Sequence, residues 1–145
     1  MSKKDALSQL RQAKSAHIRW RSYAQALVAG IPVEQDHVPV MHTDCKFGKW
    51  YYGEGQKLSS LSSFEAIETS HQILHQIYME IFRLLFGEDD RSALKKLFGS
   101  KASAKWKKQE QAGRLMEKLV AVSATLLEAI GLLEQEILDV YEGTE

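Results

Sequence analysis

Apolar and polar positions along this chain alternate with helical periods, interrupted by a few short breaks. Between residues 4 and 29, Leu7, Leu10, His17, Ala24 and Leu27 recur at spacings of three, four or seven, as one buried helix face requires. Gly30 followed by Pro32 predicts the stop. Both prolines, Pro32 and Pro39, lie in the break GIPVEQDHVPV. The aromatic-rich stretch from about Val40 to Tyr52 reads as a short helix running into the loop YYGEG. Ser62 or Ser63, with Glu65 close behind, predicts a capping box. The helix that follows carries Phe64, Ile67, His71, Leu74, Tyr78, Ile81 and Leu85 on one stripe and ends at Gly87. Asp89 and Asp90 predict the start of a short helix, DRSALKKLF, stopping at Gly99. In the last and longest element, from Leu115, the apolar positions Leu119, Val122, Leu126, Ile130, Leu133, Ile137 and Val140 come close to a heptad seam. No alternating strand pattern bounded by hairpin turns occurs. Three long helices and two short ones predict an all-α, four-helix-bundle-like fold.

Composition narrows the class without changing the fold. A chain of 145 residues with 44% apolar and 26% charged content suits one globular domain with its own core, here taken as 1–145. Nineteen basic residues balance nineteen acidic ones, so no global field favours nucleic acid or an anionic membrane. Lys95, Lys96, Lys101, Lys105, Lys107 and Lys108 are the one positive concentration; with Asp89, Asp90 and Glu110 close by they read as a solvated turn, a partner-docking surface being second. The polar start MSKKDALSQLRQAK lacks a signal peptide's apolar run, and nothing reaches the roughly 20 apolar residues of a membrane span. A cytoplasmic protein is expected. The lone Cys45 rules out an internal disulfide and is left as filler, reactive thiol or metal ligand.

The histidines sharpen that choice. His71 and His75, one turn apart, project from the same helix face, and His71 falls on the apolar stripe. His17 falls on the inward stripe of the first helix. A buried imidazole left without partners costs roughly 1–3 kcal/mol, so each is either satisfied within the core or a ligand. Coordination would account for His17, Cys45, His71 and His75 together, and three imidazoles with one thiolate suit tetrahedral zinc, copper being a minor alternative. His37 and His42 lie in or beside the proline-bearing break and read as solvent-exposed; His42, three residues before Cys45, is the reserve ligand. Trp20 and Trp50 are expected to pack around the metal, and Arg21 to make a contact behind the ligands.

Three motifs in this order carry a resemblance. His17-Ile-Arg-Trp20-Arg21, Cys45-Lys46-Phe47-Gly48-Lys49-Trp50-Tyr51-Tyr52 and His71-x-x-x-His75 are together similar to the chemoreceptor zinc-binding domain, whose cysteine motif has the core C-x-[LF]-G-x-W. The match spans roughly residues 13–86, with the C-terminal helices of 89–142 beyond it. The resemblance implies a bundle with a short cysteine-bearing helix, commonly a symmetric homodimer, holding zinc through His17, Cys45, His71 and His75. It implies a bacterial sensory module that responds to zinc or to oxidation of Cys45 by hypochlorous acid. The sequence carries no receptor coiled coil or catalytic domain. Output is therefore expected to pass in trans to a signalling partner such as a chemoreceptor pathway or a diguanylate cyclase, unless the chain was isolated from a larger protein. Three other classes compete: a purely structural zinc, a zinc hydrolase, and a di-iron bundle. A hydrolase needs an open fourth position, which Cys45 fills, and a di-iron site needs inward carboxylates that HxxxH lacks. The chain is therefore not expected to be an enzyme.

Overall fold

Ser2 opens the first helix: its hydroxyl accepts the Asp5 amide at 3.1 Å, satisfying a donor that the first turn leaves unpaired. The computed structural model describes residues 1–87 and 101–143. Among them run α1 (Lys3–Val28), a 3-10 turn (Gln35–His37), α2 (Lys46–Tyr52), a second 3-10 turn (Glu54–Leu58), α3 (Glu65–Phe86) and α4 (Lys101–Val140), with no strand. The expected short helix at DRSALKKLF, with Lys95 and Lys96, lies outside the described residues. None of the described helices is long and apolar enough to cross a membrane.

α1 ends where Gly30 takes φ +83°, a left-handed conformation that costs glycine little. α4 packs along α3 and α1, while the short α2 sits against α1. The core follows the predicted stripes with small changes of phase. Ala6, Leu10, Ala13, His17, Trp20 and Ala24 are the buried face of α1, with Leu7 and Leu27 half-buried at its margin. On α3, Ile67, His71, Leu74, Tyr78 and Ile81 are buried as expected, and His75 joins them. α4 shows a strict heptad rhythm at Ala112, Met116, Leu119, Ser123, Leu126, Ile130, Leu133 and Ile137. Ser123 thus holds the seam position where Val122 was expected; Val122 is half-buried and Val140 is 60% exposed. Leu126, Ile130, Leu133 and Ile137 are fully buried, each contributing about 1.5–3 kcal/mol of burial.

The head of α3 departs from the capping-box reading. The residue preceding α3 is Phe64, and no side chain caps the helix there. Glu136 of α4 instead accepts the Ser62 and Ser63 amides at 2.7 and 2.8 Å, and also the Ser62 hydroxyl. A carboxylate from a neighbouring helix takes both donors, charge-assisted bonds being stronger than the local hydroxyl contact. Hydrogen bonding from the Ser63 side chain, together with these bonds, holds the Glu136 carboxyl below its ordinary range.

Candidate metal centre

Cys45 stands at the head of α2 as its N-cap, where Sγ accepts the Gly48 amide at 3.2 Å. It is only 4% exposed. Gly48 is required there by close approach: a Cβ built on it would lie 1.8 Å from the His42 carbonyl oxygen and 3.3 Å from Cε1 of His71. With no side chain at this position, the segment before Cys45 lies directly on α2 and brings the thiol to α3. Two tyrosine contacts pin α2 to α3. The buried Tyr51 hydroxyl donates to the Phe64 carbonyl at 2.7 Å, and the rings of Tyr51 and Phe64 stack at 4.3 Å. Tyr52 donates to Glu68 at 3.4 Å.

From α3, His71 and His75 meet Cys45. One ligand atom from each of these three buried residues lies within 4.8 Å of the other two. His71 Nε2 is 3.3 Å from Cys45 Sγ, and His71 Nδ1 is buried without a hydrogen-bond partner among the described residues. His75 Nδ1 donates to the Val40 carbonyl at 2.8 Å, which leaves Nε2 free to ligate. Burial holds His71 down to about 3 and His75 to about 4, so both imidazoles are neutral at pH 7. Burial likewise pushes the Cys45 thiol up to about 11 despite the α2 amides that favour thiolate.

Whether these residues fit a metal can be tested on their own chemistry. A tetrahedral zinc, with bonds of about 2.3 Å to sulfur and about 2.0–2.1 Å to nitrogen, sets sulfur and nitrogen about 3.6 Å apart. The observed 3.3 Å approach of Sγ to Nε2 is close to that edge. An orphaned buried imidazole beside a thiol with no acidic oxygen in the group favours zinc over magnesium or calcium. Residues 17–82 match the family model described as the chemoreceptor zinc-binding domain. This segment is similar to the chemoreceptor zinc-binding domain. Its matched span opens on His17 and closes on Phe82, inside α3. Neither characterised proteins nor solved structures yielded a match to the chain. The domain is a zinc-binding one, and Cys45, His71 and His75 are the group in it that can hold the ion. When bound, zinc would keep the cysteine as thiolate and cross-link α2 to α3.

The other expected site residues are distributed around this group. His17, 2% exposed, lies outside it: its Nε2 is 2.8 Å from the Ser123 hydroxyl of α4. Burial and the nearby Arg21 charge hold His17 down to about 4. Arg21 donates to the same hydroxyl at 3.2 Å. Trp20 covers His75 with ring centroids 4.6 Å apart and donates its indole N–H to the Pro39 carbonyl at 3.1 Å, tying α1 to the segment before Cys45. Trp50 faces elsewhere, donating to Gln9 of α1 at 3.1 Å, so its role is to seat α2 on α1. His42 is half-buried with its ring 6.0 Å from that of His71, bordering the group without entering it. His37 is exposed and stacked on Tyr23. Sequence reasoning missed Ser123. The signal was the strict 3–4 rhythm of the α4 seam, which passes through that serine.

Proposed function

We propose that this chain is a zinc-dependent sensory module, in which His17 joins Cys45, His71 and His75 as fourth ligand and Cys45 is the oxidation-sensitive element. The buried Cys45–His71–His75 group within the matched segment carries this reading. His17 supports it by its place at the opening of that segment and by the ring of Trp20, which bridges it to His75. A cavity of about 180 Å³ reaches Cys45 between Trp20, Asp44, Lys46 and Lys49, wide enough for a small oxidant. There a thiolate meeting hypochlorous acid becomes sulfenic acid with release of chloride, an oxidation of sulfur by two electrons that weakens its donor strength. Because α1, α2 and α3 converge on the site, a lost ligand changes their packing. Output passes to a signalling partner, such as a chemoreceptor pathway or diguanylate cyclase acting in trans. A homodimer is part of this reading, although the α4 seam is occupied within one chain and so supplies no independent argument for it. No catalytic role is assigned.

A structural zinc is the second reading, favoured by the near-complete burial of Cys45. Zinc stoichiometry and affinity measured before and after mild hypochlorite, with oligomeric state followed in parallel, separate the two. The sensory reading expects one zinc per chain and a loss of zinc or a change of assembly after oxidation. Unchanged binding and assembly would leave only the staple.

A further inference from the structure

Ser123 is fully buried in the centre of the α4 seam, at a position where an aliphatic side chain would pack. A hydroxyl there is costly unless hydrogen-bonded. Its Oγ lies 2.8 Å from His17 Nε2 and 3.2 Å from Nη1 of Arg21. Guanidinium has only donors, so Arg21 occupies one lone pair of Oγ and leaves the second able to accept Nε2–H from His17. His75 shows the same pattern on the other side of Trp20: one ring nitrogen is held by a protein oxygen, the Val40 carbonyl. A histidine that binds metal through one nitrogen characteristically donates its other N–H to such a partner, which fixes both tautomer and ring orientation.

We infer that Ser123, backed by Arg21, is a positioning residue for His17: it takes the Nε2–H and so presents Nδ1 as the metal-ligating nitrogen. This rests on the reading of His17 as fourth ligand. Ser123 lies on α4, far outside residues 17–82, so the ligand is oriented by a helix that the matched segment does not include. α1 thereby carries both a ligand and its connection to α4, and a change at the metal reaches α4 through one hydrogen bond.

Chelator competition on the zinc-loaded full chain tests this, with long-range proton–nitrogen spectra of the histidine rings as a second readout. Ser123→Ala is expected to weaken zinc binding 10- to 100-fold, as loss of such a partner does elsewhere, while one zinc per chain is retained at saturation. Ser123→Thr, which keeps the hydroxyl, should restore most of the affinity. The wild-type spectrum should show His17 protonated at Nε2 and metal-shifted at Nδ1, which decides the tautomer even if Ser123→Ala does not fold. An unchanged or tighter Ser123→Ala protein, or a wild-type His17 protonated at Nδ1, overturns the inference. In a His17→Ala background the Ser123→Ala effect should vanish; an effect of equal size there would mean that Ser123 acts through packing and would sink the idea. If His17→Ala alone leaves zinc affinity unchanged, the ligand reading itself fails. A large His17→Ala loss with no Ser123→Ala loss rejects the positioning role alone.

Discussion

Gly48→Ala adds one methyl group to the chain, and its consequence can be worked out from the packing around α2. The new Cβ would stand 1.8 Å from the His42 carbonyl oxygen, whereas real Cβ contacts are essentially never under 3.0 Å. The obstacle is backbone, so a side-chain rotation cannot relieve it. The segment carrying His42 must retreat by about 1.2 Å from α2, the gap between those two distances. Cys45 lies only three residues further on, and metal sites tolerate ligand displacements of about 0.2 Å. Overpacking of this kind costs about 1–3 kcal/mol, and the contact with backbone puts Gly48→Ala at the upper end. Alanine's better helix propensity offsets about 0.5–1 kcal/mol, leaving a net loss of about 2 kcal/mol. Zinc affinity should fall at least about 100-fold, equivalent to 2.7 kcal/mol. Urea unfolding of the metal-stripped protein gives the first quantity, and chelator competition gives the second. Gly131→Ala is the control, because a Cβ there meets nothing within 4 Å; it should stabilise α4 by about 0.5–1 kcal/mol with zinc binding unaltered. A Gly48→Ala protein within about 0.5 kcal/mol of wild type, binding zinc normally, would refute the close-approach account.

Other expectations follow from the same geometry. Cys45→Ala and His71→Ala should each abolish tight zinc binding. In the intact chain, calorimetry at pH 7.5 in buffers of different ionisation enthalpy should report about one proton released per zinc, from the Cys45 thiol; no release would contradict a buried neutral thiol. The metal-stripped chain should lose stability in mild acid. His17, His71 and His75 are depressed from 6.5 to about 4, 3 and 4, so the unfolded chain takes up protons first. Their contribution is complete above about pH 6.5 and is lost as pH falls toward those folded values. The cost is roughly 2 kcal/mol per histidine between pH 6.5 and 5, and urea midpoints that stay flat over that window would reject it. Glu136→Ala should lower the thermal midpoint by freeing the Ser62 and Ser63 amides, while zinc affinity stays at the wild-type value.

Much of this molecule was legible along the chain. Helical period alone placed α1, α3 and α4 from Leu115 onward, because each buries a stripe against the same core, and burial of that stripe outweighs local propensity. α4 in fact begins at Lys101, so Lys101, Lys105, Lys107 and Lys108 lie in a helix and not in the expected turn. His71 and His75 share a face through chain geometry, so their pairing needed no tertiary information. The motif around Cys45 pointed to the cysteine, but the close approach that its glycine permits became visible only in the structure. The capping box failed for a physical reason: Ser62 and Ser63 are 74 and 73 residues from Glu136, and no local rule anticipates a carboxylate arriving from another helix.

The sequence by itself determined the donors and the helices that carry them, since ligand chemistry and helical phase are properties of residue type and spacing. Only the tertiary structure decided how those donors are shared. It set Cys45, His71 and His75 together, because Gly48 lets the segment before the cysteine lie on α2. It also turned His17 toward Ser123 and Arg21. An inward histidine on α1 faces whatever the neighbouring helices place there, and the register of α4 against α1 is fixed by the whole seam from Ala112 to Ile137 rather than by any spacing near His17.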